Sequence, residues 1–394
     1  MAHYNYLIIG GGMTGDAAAA GIREVDAKGT VAIIGAEAEK PYNRPPLTKG
    51  LWKDKPLDSI WRKAKEHKVD LRLGHRVASL DAKDKQIADD TGQAYTFDKL
   101  LLATGGQPRR LPFGGDRIIY FRTLTDYKCL HSLAQTADRF AVIGGGFIGS
   151  EIAAALAMND KKVTMVFPES GIGARTYPSA LSEFLNDYYA DRGVQVLAGQ
   201  SVEGLDKHGA EFGLKLSGDK EVVVDGVVAG IGIEPDVDLA RQAGLDVDNG
   251  IVVDESLRTS AADIYAAGDV ASFYSPSLDK RLRVEHEDNA NTMGKQAGRN
   301  MAGADEPYHH LPYFYSDLFD LGYEAVGELD ARLETVMDWQ EPHKKGVVYY
   351  LQDGRVRGVL LWNVWDQVDA ARELIAEKGP FKASDLQGRL PKKN

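Results

Sequence analysis

A chain of 394 residues exceeds what one ordinary hydrophobic core organises, so two or three domains are expected. Its 43% hydrophobic and 27% charged content belongs to a soluble globular protein, and a net charge of −11 argues against nucleic acid or an anionic membrane as partner. No apolar run reaches the ~20 residues of a membrane-spanning helix, and a single cysteine, Cys129, excludes an internal disulfide or a cysteine-ligated metal cluster.

No metal site is expected, and Cys129 reads as a packed thiol in a reducing cytoplasm. The chain enters a strand-like run over 4–9 at once, which leaves no room for a signal peptide and makes a cytoplasmic setting the expectation. That run opens a strand, a tight turn and a helix. Apolar residues through Ile9 predict a buried parallel strand, and the alanine-rich segment after Gly15 predicts a closely packed helix. In the turn Gly10-Gly-Gly12-Met-Thr-Gly15, Gly10 permits the bend and Gly12 lets the backbone approach a pyrophosphate. Gly15 lets the helix lie close to the strand, with its N-terminus towards the phosphates. The next strand, 31–34, leads into Gly35-Ala36-Glu37, where Ala36 stands at the usual position of a ribose-binding carboxylate. Glu37, one residue on, either takes that role from a shifted turn or is solvated.

The device then repeats. Phe140-Ala-Val-Ile143 runs into Gly144-Gly-Gly146-Phe147-Ile-Gly149 and a second alanine-rich helix. The following strand, 163–167, ends near Glu169, about twenty residues beyond Gly149, where a carboxylate receives the adenosine ribose hydroxyls of NAD. A 2′-phosphate would meet that negative charge, so NADPH is disfavoured. Two dinucleotide units in one chain imply an electron-donor site and a resident redox cofactor. Further on, 335–338, 346–351 and 355–362 alternate like antiparallel strands, Asp353-Gly354 signals a hairpin turn, and 364–378 has helical periodicity. Residues 392–394 are expected to be disordered.

Two further segments identify the resident cofactor. Ala103-Thr-Gly-Gly106 after an apolar run, and Tyr265-Ala-Ala-Gly268-Asp269, resemble the additional fingerprints of glutathione-reductase-type flavoproteins, in which that aspartate binds the ribityl chain of FAD. Within this superfamily the chain resembles the ferredoxin-reductase branch and, inside it, the apoptosis-inducing factors. The resemblance runs through nearly the whole chain. It is carried by Pro41-Tyr-Asn-Arg44-Pro-Pro-Leu-Thr-Lys49, Phe167-Pro-Glu169, Arg283-Val-Glu285-His286-Glu-Asp288, Tyr315-Ser-Asp317, Gly322-Tyr-Glu-Ala-Val-Gly327 and Leu361-Trp-Asn363. It implies an α/β fold of two Rossmann-like domains, for FAD and NADH, with a C-terminal α+β domain. The expected boundaries are 1–115 and 239–303 for FAD, 116–238 for NADH and 304–394 for the last.

The same resemblance implies that Arg44, Lys49 and Arg122 touch FAD and that Lys49 pairs with Glu151 beside the flavin's reactive edge. It puts Phe147 at the nicotinamide, and Glu285 and His286 near the rings; His286 joins Lys49 and Glu151 as candidate catalytic residues. Tyr315 stands where the family usually has a tryptophan, so its hydroxyl needs a partner if buried. The helix over 287–301 would begin close behind Asp269, its dipole favouring negative charge at the cofactor. The relatives' membrane-anchoring N-terminal segment and C-terminal insertion have no counterpart here, so a cell-death role is not transferred. With no cysteine in 45–51, disulfide chemistry is excluded and electrons pass to an external acceptor. The leading expectation is an NADH-dependent reductase of a quinone, another small acceptor or, slowly, oxygen. A ferredoxin or rubredoxin reductase feeding a monooxygenase is the second, and an NADH-sensing protein that forms a homodimer on reduction is the third.

Overall fold

The computed structural model describes residues 1–391 and resolves them into two compact units. The expected disorder of residues 392–394 lies outside the described residues. The first unit comprises Met1–Arg44, Leu57–Gln107 and Glu234–Tyr313. It is built on β1 (Ala2–Ile9), α1 (Met13–Val25), β2 (Val31–Gly35), β3 (Asp70–Leu73), β4 (Val77–Asp81), β5 (Gln86–Asp89) and β6 (Ala94–Leu102). These form one sheet in the order β3-β2-β1-β6-β5-β4, with the strand Ile264–Ala266 pairing β6. β1 is parallel to both neighbours, Leu7 lying opposite Ala32 and Leu100. Leu7, Ile8, Ile33, Leu100 and Leu101 are fully buried, which is why β2 and the C-terminal ends of β1 and β6 read as continuous apolar runs instead of alternating.

α1 packs against a helix that runs over Glu287–Met301, as the sequence predicts. The close approach is made by small residues. A Cβ on Gly298 would come within 2.0 Å of the Ala18 carbonyl, and one on Gly21 within 2.0 Å of the Lys295 carbonyl. Gly21 and Gly298 are therefore packing requirements of this helix pair.

The second unit comprises Pro45–Pro56, Pro108–Ile233 and the chain from Phe314 onward. Its first sheet contains β7 (Ile118–Tyr120), β8 (Arg139–Ile143), β9 (Lys162–Phe167), β10 (Val194–Ala198) and β11 (Gly226–Ala229), all parallel, in the order β10-β9-β8-β11-β7. Helices α2 (Leu124–Ala134), α3 (Phe147–Met158) and α4 (Ser179–Ala190) connect these strands. The C-terminal part is a sheet of β12 (Tyr313–Leu318), β13 (Leu321–Gly327), β14 (Glu334–Glu341), β15 (Lys345–Gln352) and β16 (Arg355–Trp362), ordered β12-β13-β16-β15-β14, followed by α5 (Val368–Ala376). Asp353 and Gly354 both have positive φ, 52° and 73°, the conformation a two-residue hairpin turn demands. The fold is thus the expected α/β arrangement of two Rossmann-like halves with a C-terminal α+β part.

Two expectations need correction. The helix predicted over 364–378 starts only at Val368, because Asp366 takes a left-handed φ of 61° that no helix continues through. Cys129 is not packed. Leu124, Tyr127, Leu130 and Ala134 form the buried stripe of α2, and Cys129 falls on its exposed face.

Candidate active site

The two glycine turns are built alike. Gly10 has φ +123°, and a Cβ there would meet the Ala103 carbonyl at 2.1 Å; Gly144 has φ +110° and would meet the Gly230 carbonyl at 2.4 Å. Each bend can therefore be made only by glycine, and Ala103 of the third fingerprint is the backbone that Gly10 abuts. Gly15 and Gly149 press on the carbonyls of Gly10 and Gly144, at 2.1 and 2.0 Å for an added Cβ. Gly12 and Gly146 differ from the others. They are the N-cap residues of α1 and α3, with φ,ψ of −86°, −167° and −84°, −168°, no side chain caps the exposed N–H groups, and a Cβ on either would meet nothing within 4 Å. Open space at a helix N-terminus, kept clear of side chains, fits a pyrophosphate at both places.

In the first unit, Glu37 is not simply solvated. Its carboxylate accepts from Arg44 Nη2 at 2.6 Å and from the Tyr42 hydroxyl at 2.5 Å. Burial alone would lower the Arg44 pKa, but Tyr42, Glu37 and, further back, Asp269 outweigh it and hold the guanidinium above its ordinary value. Residues far apart in sequence, Glu37, Arg44 and Asp269, thus share one electrostatic neighbourhood. Asp269 follows Gly268, whose φ is +77° and whose missing side chain makes room for the Thr14 hydroxyl, 2.2 Å from where a Cβ would be. Arg283, given no role by the sequence, donates to the Asp269 carbonyl at 3.1 Å and pairs with Glu285 at 2.6 Å.

His286 is the N-cap residue of the Glu287–Met301 helix. Desolvation pushes its imidazole down to about 4, against the opposing pull of Asp269 and Asp288. The residue as a whole is half-buried. The folded state therefore prefers neutral His286, while the unfolded chain takes up the proton near 6.5. Stability from this residue is present above about 6.5 and is lost as pH falls towards about 4. His286→Gln is expected to flatten the fall of Tm over that window, a difference absent at pH 8.

In the second unit, Lys49 stands between the 3₁₀ turns Pro45–Thr48 and Gly50–Lys53. The buried Trp52 indole donates to the Leu47 carbonyl at 2.9 Å and braces this segment. Lys49 Nζ lies 2.6 Å from Glu151 Oε1, the two side chains 14% and 4% exposed. Residues 45–56 cluster with the second unit, so this pair lies inside one compact unit. Lys49 also sits 5.4 Å over the Tyr315 ring, and Phe147 makes an edge contact with Phe314 at 5.4 Å. Arg122 lies at the start of α2, its backbone N–H bound to Asp126 at 3.0 Å. Glu169, two residues past the end of β9, is paired with Arg175 at 2.5 Å, a partner the sequence reading missed. It also missed Thr48 and Ser316, which bond Glu151; each is a hydroxyl directly beside a charged or aromatic residue already singled out, and that adjacency was the available signal.

Among the described residues no group of three His, Cys, Asp or Glu side chains is placed to hold a metal, and no helix is long and apolar enough to cross a membrane. Two glycine turns open onto helix N-termini, each directly after a parallel strand, and a buried Lys–Glu pair stands close to an aromatic ring in the second unit; this is the arrangement expected of a two-dinucleotide oxidoreductase. Comparison with known proteins makes this specific. The pattern of the pyridine nucleotide-disulphide oxidoreductases matches residues 4–294, and that of the mitochondrion-associated C-terminal part of apoptosis-inducing factor matches 297–343 and 337–377. Apoptosis-inducing factor 1 of Dictyostelium discoideum is 34% identical over 419 residues, 95% of this chain and 79% of that protein. The ferredoxin–NAD(+) reductase component of the anthranilate 1,2-dioxygenase system of Burkholderia cepacia is 34% identical, covering 94% of both. The solved covalent complex of putidaredoxin reductase with putidaredoxin aligns with a TM-score of 0.90 at 29% identity, over 98% of this chain and 95% of that one. The chain belongs to the pyridine nucleotide-disulphide oxidoreductase family. It is an oxidoreductase of ferredoxin-reductase type that uses FAD and NAD(H).

Proposed function

We propose that this enzyme passes electrons from NADH to an external acceptor without any redox-active cysteine, the leading acceptor being a quinone or another small molecule. The observation that carries the reading is the cysteine count: one thiol, exposed on α2, in a family whose name denotes disulfide chemistry. Bound FAD supplies the acceptor for a hydride from the nicotinamide, the step the cofactors themselves carry. The protein's share is positioning. In this reading 1–115 with 239–303 is the FAD-binding domain and 116–238 the NADH-binding domain, in a cytoplasmic setting. Gly10, Gly12 and Gly15 seat one pyrophosphate, with Arg44, Arg122, Asp269 and Tyr315 along the rest of the flavin. Gly144, Gly146 and Gly149 seat the other, with Phe147 at the nicotinamide. Lys49, paired with Glu151, is the cation offered to the flavin, and His286 is a polar group of the FAD-binding domain.

A protein acceptor of ferredoxin type is the second reading, favoured by relatives named as ferredoxin reductases that match over nine tenths of both chains. An anaerobic NADH titration followed by an acceptor screen on the same sample separates the readings. Fast turnover with a quinone and no protein partner supports the first, and turnover only with an iron–sulfur protein replaces it by the second. Slow turnover with both, together with NADH-driven dimerisation, would replace each by a sensing role.

Glu169 sets the donor preference in this reading. One like-charge contact with a 2′-phosphate is worth about tenfold in favour of NADH, roughly 1.4 kcal/mol. Arg175 offsets part of that charge. Arg175→Ala is expected to widen the NADH to NADPH ratio of kcat/KM and Glu169→Ala to narrow it; an unmoved ratio in both variants rejects the assignment.

A further inference from the structure

Both oxygens of the Glu151 carboxylate are held. Oε1 accepts from Lys49 Nζ and from the Ser316 hydroxyl, each at 2.6 Å, and Oε2 accepts from the Thr48 hydroxyl at 2.5 Å. The Pro45 carbonyl, a second acceptor for Thr48, is farther away at 3.3 Å. Glu151, Thr48 and Ser316 are 4%, 6% and 1% exposed, so water does not compete for these bonds. The donors come from separate parts of the chain: Thr48 from the proline-led turn, Ser316 from β12, and the acceptor from α3. A serine this deeply buried is costly unless its hydroxyl is bonded, and here its bond goes to the acid of the ion pair.

An ion pair alone leaves torsional freedom. The Glu151 carboxylate can turn about its last bond, and a lysine stem has four. Two hydroxyls gripping opposite oxygens remove the first freedom, and the pair then confines the second. We propose that Ser316 and Thr48 are positioning residues for the reductive half-reaction, fixing the plane of the Glu151 carboxylate so that Lys49 Nζ is held at its place over Tyr315. This rests on the reading of Lys49 and Glu151 as the working pair. It predicts that the two hydroxyls matter only through Lys49.

The test is a mutant cycle. Ser316→Ala and Thr48→Val are each made in the wild-type and Lys49→Met chains, and the FAD-loaded proteins are reduced anaerobically by NADH in a stopped-flow instrument. Each hydroxyl deletion is expected to lower the limiting rate about tenfold, the scale of one hydrogen bond to a charged group. The Kd for NADH and the FAD content stay unchanged, and Thr48→Ser returns the rate to within about twofold of wild type. In the Lys49→Met chain neither deletion has a further effect. Equal losses in both backgrounds overturn the proposal and leave the ion-pair reading standing. A wild-type rate for Lys49→Met overturns both. Should Ser316→Ala fail to fold, Thr48→Val and Thr48→Ser carry the same comparison.

Discussion

Lys49→Met is expected to slow reduction by NADH about a hundredfold while the protein keeps its FAD. Removing one partner of a buried ion pair strands the other charge, typically at a cost of about 3–5 kcal/mol, and the residual exposure of Lys49 brings the expectation to the lower side. Glu151→Gln is expected to do similar harm by the opposite route, leaving a buried ammonium among Thr48, Ser316 and an uncharged amide. Because both changes break one unit, the double variant falls well short of the product of the single effects. The flavin midpoint potential also moves down in Lys49→Met, since a positive charge near the cofactor favours its reduced form. Single-turnover rates for the four proteins and a potential measured for each check this; fully multiplicative losses would show two independent charges.

The second large effect separates two costs that a glycine-to-alanine change usually mixes. Gly10→Ala drives a methyl into the Ala103 carbonyl at a backbone angle alanine rarely adopts, so it is expected to damage the first unit itself. Gly12→Ala meets no protein atom, so its fold is expected to survive with apo-protein Tm close to wild type, while FAD affinity falls at least tenfold because the methyl takes the space of the phosphate. Calorimetry on apo-protein and fluorescence titration with FAD distinguish the two. A Gly12→Ala chain that binds FAD normally would remove the phosphate from the turn.

Much of this arrangement was legible because local chemistry and tertiary requirement coincide. Gly10 and Gly144 are needed by their own φ values and by a neighbouring carbonyl, and a sequence reports the first even when the second is hidden. The same holds for Asp353-Gly354, where two left-handed residues are written into the dipeptide. Helix ends were harder. Asp366 interrupts an amphipathic pattern through a backbone angle that periodicity does not carry, so α5 is shorter than its pattern. The acceptors of single side-chain bonds were hardest. Adjacency to Tyr315 marks Ser316 but does not name its partner Glu151, and nothing along the chain pairs Arg175 with Glu169, since those pairings are set by how β12 and the loop after β9 are carried through space. Cys129 misled for a plainer reason: cysteines are usually buried, and only the stripe of α2 decides which way this one turns.

That outward turn makes the wild-type chain chemically addressable at a single thiol. A maleimide dye or a nitroxide would label each copy once, with no other cysteine to remove first, and would report the surroundings of α2 during turnover. The same thiol sets a condition on every test of self-association. Air oxidation can join two copies covalently through Cys129, and such a species would mimic a redox-driven dimer on a sizing column. Association counts as NADH-driven only where it persists in Cys129→Ser or under a thiol reductant.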